Sequence, residues 1–164
     1  MLTVYRTVKA KYAAEPLATE GSRLFGGRWN PKGVPLLYAT SSPALALVES
    51  LVHQPRVNYE KLPKLFLFTL EVPDRPGVPD VTMYSVEELP AYWNDESYER
   101  TQWILGDWLR NPTTLVAAVP SVVVPMSYNY LLHPAHPHFG KIRVVKQEPF
   151  PIERRLWRDT GNKQ

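Results

Sequence analysis

GGRWNPKGVPLLYATSSPALALVESLVHQ, residues 26–54, passes from a glycine-rich loop through a short strand into a helix. Glycine permits positive φ and a close approach of backbone to a ligand, while the Asn-Pro and Lys-Gly steps indicate turns. Arg28 carries five N–H donors in a rigid fork that suits phosphate or carboxylate, and Trp29 places a flat ring beside it. The loop therefore predicts a site for an anionic ligand that contains rings.

The helix that follows carries a carboxylate on its apolar side. Ser42 is a favourable N-cap and Pro43 a favourable first helical residue, and Glu49 falls among apolar positions at helical spacing: Leu45, Val48 and Val52. A carboxylate there loses hydration, so it requires either a cationic partner or a chemical role. With Tyr38 in the preceding strand, the pattern predicts an anion clamp, an aromatic face and a carboxylate around one cleft.

The rest of the chain reads as short strands with one further helix. The helix is predicted at residues 95–111, and Leu65–Val72 is predicted to be a central strand because it is apolar on both faces. The other strands are predicted at residues 2–8, 34–40, 113–119, 121–124 and 141–147. Short strands in mixed order with few helices favour an α+β fold in a single domain spanning residues 1–164.

Composition narrows the function classes. The net charge is only +3 and no basic stripe stands out, so a nucleic-acid-binding module is retained only as an alternative. Without cysteine there is no disulfide framework and no thiolate nucleophile. The N-terminus lacks a signal-peptide core, and prolines interrupt the longest apolar stretch before the roughly 20 residues of a membrane span. We expect a cytoplasmic protein without membrane contact.

Two groups of histidine and tryptophan residues are expected to have structural roles. The histidines of LLHPAHPH, residues 131–138, lie among prolines and no cysteine accompanies them, so a loop is expected and no metal site. Tryptophans near the second helix are expected in the core, with a docking face for a partner as the alternative: Trp93, Trp103 and Trp108.

Several motifs together resemble the RES-domain family, the toxins of a class of bacterial toxin-antitoxin pairs. They are YR at residues 5–6, GGRWNPKGVPLLYAT, ALALVESLVH, VPSVVVP, and NYLLHP followed by HPHF, and they extend from residue 4 to about 150. The resemblance implies an ADP-ribosyltransferase-like fold, a split mixed sheet with flanking helices. It also implies an activity that degrades NAD, so that NAD is a substrate and no cofactor is required.

The resemblance assigns roles to individual residues. Arg28, Tyr38 and Glu49 match the family's arginine, tyrosine and glutamate; Ser121 is our choice for its serine, with Ser127 as the other candidate. Arg28 is expected to clamp the pyrophosphate, Tyr38 to stack on nicotinamide, Glu49 to stabilise the ribose oxocarbenium ion, and Ser121 to support the nicotinamide end. Loop neighbours of Arg28 are expected to contact NAD: Gly27, Trp29 and Asn30. His133 departs from the family, which has asparagine there.

Partners follow from the same resemblance. A helix-turn-helix antitoxin is expected to cover the cleft and to supply the DNA binding that this chain lacks, in a complex that includes a homodimer or larger assembly. The acceptor of the ADP-ribose group stays open between water, phosphate and a protein side chain. A protein ADP-ribosyltransferase that uses the same NAD site is therefore the alternative to NAD degradation.

Overall fold

The computed structural model describes residues 1–73 and 80–158 of the chain. Within them, seven strands form one mixed sheet in the order β4-β5-β6-β2-β1-β3-β7. Only β4 and β5 run parallel; the other neighbouring pairs are antiparallel. The strands are β1 Leu2–Lys9, β2 Leu37–Thr40, β3 Leu65–Val72, β4 Val81–Met83, β5 Val116–Pro120, β6 Tyr128–Leu132 and β7 Arg143–Pro149. The predicted mixed sheet with flanking helices is confirmed.

The middle of the sheet is weakly joined. β1 pairs with β3 along its whole length, whereas β1 and β2 share a single registered pair, Tyr5 with Thr40. The sheet therefore consists of two halves, β4-β5-β6-β2 and β1-β3-β7, with little backbone hydrogen bonding between them. Side chains at this junction are free to line a cleft.

In the described part of the chain four α-helices flank the sheet: α1 Glu20–Phe25, α2 Pro43–Val52, α3 Glu99–Ile104 and α4 Gly106–Arg110. α2 begins as predicted, with the Ser42 hydroxyl accepting from the Leu45 N–H at 3.1 Å. The prediction of one helix over residues 95–111 is wrong, since α3 begins only at Glu99 and a turn at Leu105, with ψ near −1°, separates it from α4. Gly106 follows Leu105, and glycine has low helix propensity.

Apolar side chains cover both faces of the sheet. Neighbouring residues of β6 belong to different cores, because successive side chains of a strand point to opposite faces: Leu132 packs with Val4, and Leu131 packs with Trp29. The second core also contains Trp93 and Trp108, as predicted. Trp103 differs from its prediction, since its side chain is exposed.

Other differences arise in short segments. Residues 121–124 form a turn instead of the predicted strand, because the Ser121 hydroxyl accepts from the N–H groups of Val123 and Val124. The pattern did not predict β4, β6 or α1, which are three to six residues long. Among the described residues no helix has both the length and the apolar character that a membrane crossing requires.

Candidate active site

The cleft at the weakly paired junction collects polar side chains. It has a volume of about 390 Å³, and its walls come from β1, β2, β6 and α2. This volume falls in the range of small-molecule sites. The polar lining residues used below are Arg6, Tyr38, Glu49, His53, Gln54 and Asn129.

Glu49 is held in the cleft by one of its two carboxylate oxygens. Oε1 accepts from the Ser121 hydroxyl and from Asn129 Nδ2, each at 2.7 Å. Oε2 has no hydrogen-bond donor among the described residues; His53 Nε2, on the next turn of α2, is 3.9 Å away and largely exposed. The carboxylate is therefore fixed in orientation while one oxygen stays available to a ligand.

Ser121 is the serine that reaches Glu49. Its side chain is fully buried, and its hydroxyl accepts from two backbone N–H groups while donating to Glu49. These two donors fix the direction of the hydroxyl proton towards the carboxylate. Ser127 takes part in the same turn through its backbone, accepting from the Ser121 N–H at 2.9 Å.

Asn129 is a site residue that the sequence did not assign. Its amide must donate to Glu49, which leaves Oδ1 as a buried acceptor without a hydrogen-bond partner among residues 1–73 and 80–158. Its position in the sequence could have indicated a site residue. Asn129 lies on the same face of β6 as buried Leu131, where an apolar residue is expected.

Arg6 is the second residue that was not assigned a role. Nη1 donates to the Tyr38 carbonyl at 2.8 Å, and Nε has no hydrogen-bond partner among the described residues. Burial lowers the pKa of the guanidinium to about 10, so Arg6 stays cationic at neutral pH. Arg6 lies on the same face of β1 as Val4 and Val8, which are both buried. A charged residue between two apolar positions of one strand face is the sequence signal that could have indicated this site.

The glycine loop supports Tyr38. The Tyr38 hydroxyl donates to Asn30 Oδ1 at 2.5 Å, and Asn30 Nδ2 donates to the carbonyls of Ser22 and Val34. Burial raises the pKa of Tyr38, which therefore stays protonated. A Cβ added to Gly27 would lie 2.8 Å from the Tyr38 hydroxyl, so the loop requires glycine there.

The residues of the glycine loop, unlike Glu49, do not line the cleft. Asn30 and Trp29 are enclosed by protein, Trp29 against Trp93 with ring centroids 6.2 Å apart, so neither offers a surface to a ligand in this conformation. Arg28 is not among the residues that line the cleft. Its Nη1 donates to the carbonyls of Trp93 and Asp95, at 2.9 and 2.8 Å. The structure thus places Tyr38 and Glu49 in the wall of the cleft and Ser121 against Glu49. Trp29 and Asn30 contact Tyr38 but are not among the residues that line the cleft.

The histidines divide into two structural roles. His133 Nε2 lies 3.0 Å from the Leu109 carbonyl, and burial lowers its pKa. His136 and His138 meet buried Asp80, with potential ligand atoms within 4.8 Å of one another. His136 Nδ1 accepts from the His138 N–H, so a neutral His136 carries its proton on Nε2, which faces Asp80. At 3.8 Å this is an electrostatic contact that exceeds hydrogen-bond length, and the expected lack of a metal stays a prediction.

Comparison with known proteins gives consistent matches. A family model described as RES domain matches residues 3–153. The chain is 36% identical over 149 residues to a "Prs ADP-ribosylating toxin" of Sphingobium sp. (strain YBL2), covering 90% of each chain. It is 32% identical over 157 residues to a "Toxin Res" of Yersinia enterocolitica, covering 94% of this chain and 99% of that one. A "Toxin Res" of Photorhabdus laumondii is 30% identical over 157 residues, covering 94% and 97%.

Proposed function

The chain belongs to the RES-domain family, and from that premise we propose that it binds NAD beside Glu49 and cleaves the bond between nicotinamide and ribose. One observation carries the proposal. The Glu49 carboxylate is fixed through Oε1 and offers Oε2 to the cleft, whose wall also contains the cation Arg6. An acid and a cation placed in this way suit a ligand that joins a reacting sugar to phosphates.

The reaction places particular demands on Glu49. When the bond from ribose C1′ to nicotinamide breaks, its electron pair neutralises the pyridinium nitrogen, so the leaving group needs no proton. The ribose becomes an oxocarbenium-like cation. Glu49 Oε2 is positioned to bind a ribose hydroxyl and to stabilise this charge. Preorganised electrostatic groups of this kind are worth about 3 kcal/mol, or roughly 10²–10³ in rate.

Arg6 is the pyrophosphate contact in this proposal. Its Nε–H has no hydrogen-bond partner among the described residues, and no carboxylate there forms an ion pair with it. A partly buried guanidinium gains a charge-assisted hydrogen bond when a phosphate arrives. Arg28 uses only Nη1 for its backbone contacts, so its expected contact with the pyrophosphate stays a prediction.

Tyr38 and Asn129 complete the proposed nicotinamide and ribose end. Tyr38 lines the cleft and is held by Asn30, so its ring provides a fixed face for nicotinamide. Asn129 Oδ1 is a buried acceptor suited to a hydroxyl or amide hydrogen of the substrate. In this proposal Gly27, Trp29 and Asn30 support Tyr38, and their own expected contacts with NAD stay a prediction.

The acceptor separates two candidate functions. In the first, water or phosphate attacks C1′ and loses a proton, which degrades NAD, depletes the cell and arrests growth. In the second, a protein side chain attacks and becomes ADP-ribosylated. The second is favoured by the name of the Sphingobium relative, a "Prs ADP-ribosylating toxin". Both use the same Glu49 site and differ only after the nicotinamide bond has broken.

We further propose that the partner is a cognate antitoxin, since curated relatives are named toxins. A helix-turn-helix protein that covers the cleft would hide Glu49 and Arg6 from NAD. Oligomeric assembly with such a protein, including a homodimer of this chain, belongs to the same proposal. Co-expression of the antitoxin should restore growth and abolish NAD turnover in the purified complex.

Product analysis tests the proposal. Pure protein is incubated with NAD, with and without inorganic phosphate, and with a cell lysate as a source of protein acceptors, and the products are identified by mass spectrometry. Free ADP-ribose indicates hydrolysis, ADP-ribose 1″-phosphate indicates phosphorolysis, and a protein adduct of ADP-ribose indicates transfer. Glu49→Gln serves as the inactive control. NAD that remains intact under all three conditions contradicts the proposal.

A further inference from the structure

A second and larger groove adjoins the cleft. It has a volume of about 970 Å³ and is formed by β1, the short 3-10 turn Ala10–Tyr12 and helix α1. Its lining includes large apolar side chains that are substantially exposed: 58% for Tyr12, 50% for Leu24 and 77% for Phe25. Exposed apolar side chains grouped in a concave surface indicate a ligand or a partner.

The groove and the cleft share a wall. Arg6, Thr7 and Lys9 of β1 line both. Arg6 therefore lies between the Glu49 cleft and the apolar groove. Its Nε–H makes no hydrogen bond within the described residues. Lys9 and Lys11 line the same groove, together with two acidic side chains, Glu15 and Glu20. From the cleft into the groove, a ligand would therefore meet first the carboxylate of Glu49, then the guanidinium of Arg6, and then the aromatic side chains of the groove.

We propose that this groove binds the adenosine half of NAD, an inference that rests on the proposed function. NAD has the matching order of parts: nicotinamide riboside, two phosphates, adenosine. With the reacting ribose at Glu49 and the pyrophosphate at Arg6, the chain of the ligand continues into the groove. There Phe25 and Tyr12 offer aromatic faces on which a purine stacks. Lys11 Nζ lies over one face of the Tyr12 ring, 4.6 Å from its centroid, so a purine would stack on the other face.

A shorter substrate separates the groove from the chemistry. Nicotinamide mononucleotide contains the same nicotinamide-ribose bond but lacks the adenosine monophosphate half. Phe25→Ala should raise KM for NAD roughly 5- to 50-fold, the range of one lost stacking contact, and leave kcat/KM for nicotinamide mononucleotide unchanged. Trp103→Ala is the matched control, because Trp103 is an exposed aromatic residue that lines a different surface. Equal losses on both substrates, or none on NAD, would overturn the assignment.

Direct binding keeps the inference independent of turnover. ADP-ribose affinity is measured by titration calorimetry for wild type, Phe25→Ala, Tyr12→Ala and Trp103→Ala. We expect both groove variants to weaken binding and Trp103→Ala to leave it unchanged. If wild type cleaves neither nucleotide, but binds ADP-ribose with an affinity that Phe25→Ala weakens, the proposed function is wrong and the assignment of the groove to adenosine is supported. If Phe25→Ala weakens binding of the antitoxin but not of ADP-ribose, the groove docks a protein and the inference is wrong.

Discussion

Asn129→Ala removes one of the two donors that fix Glu49 while leaving the rest of the site in place. Asn129 Nδ2 donates to Glu49 Oε1 at 2.7 Å, and Asn129 Oδ1 makes no hydrogen bond with the described residues. The substitution therefore breaks one charge-assisted hydrogen bond and leaves no other protein group without a partner. Such bonds are worth about 1.5–3 kcal/mol.

If the position of Glu49 matters chiefly in the transition state, this energy is lost from kcat. At about 1.4 kcal/mol for each tenfold change, kcat should fall roughly 10- to 150-fold, while KM for NAD stays within about twofold. The melting temperature should change little, because backbone pairing of Asn129 with Thr40 does not depend on the side chain.

Gln54→Ala is the matched control for this experiment. Gln54 lines the same cleft and also carries an amide, but its Nε2 donates to the Ser50 carbonyl at 3.0 Å and does not contact Glu49. Initial rates of nicotinamide release and melting curves are measured for both variants in parallel. An Asn129→Ala protein that turns over as fast as Gln54→Ala would refute the view that Asn129 positions Glu49.

Three further variants test the surroundings of the site. Gly27→Ala places a Cβ 2.8 Å from the Tyr38 hydroxyl and should cost roughly 1–3 kcal/mol of unfolding free energy in urea titrations; an unchanged midpoint would contradict the close approach. Arg28→Ala removes two charge-assisted bonds to carbonyls and should destabilise the fold by roughly 1–3 kcal/mol. If Arg28 also contacts the pyrophosphate, as the family resemblance implies, KM for NAD rises as well; unchanged stability together with unchanged KM would contradict both roles. Burial lowers the pKa of His133 in the folded protein. As the pH falls below about 6.5, His133 is protonated in the unfolded chain before it is protonated in the folded one, so the free energy of unfolding decreases. Unfolding free energies measured at about pH 7.5 and about pH 5.5 should therefore differ less in His133→Asn than in wild type, and equal differences would exclude this contribution.

The sequence predicted the parts of the fold that depend on local chemistry. The start of α2 follows from Ser42 and Pro43, and β1 and β3 follow from their apolar content. The break at Leu105 was missed, because the apolar period continues through it and only Gly106 marks it. The strand predicted from Ser121 was wrong, since a side-chain hydrogen bond to the following backbone outweighed the strand propensity of the valines.

The candidate site was predicted in part, for a similar reason. Glu49 stood out because a charge on an apolar helix face is visible locally. Arg6 and Asn129 come from strands far apart in the sequence, and only the sheet order places them beside Glu49. The character of the glycine loop also depends on tertiary contacts: Asn30 is satisfied by Tyr38 and neighbouring carbonyls, which residue types alone do not reveal.

The role of Glu49 is tested most directly by comparing Glu49→Gln with wild type in one preparation. Melting temperature, NAD affinity and the rate of nicotinamide release are measured together, with Glu148→Gln as control because Glu148 pairs with Lys146 in an exposed position on β7. We predict that Glu49→Gln folds and binds NAD normally while its turnover falls by roughly 10² or more. A stable, NAD-binding Glu49→Gln protein that retains more than about a tenth of wild-type turnover would contradict the account, since it would limit the contribution of the carboxylate to less than about 1.4 kcal/mol.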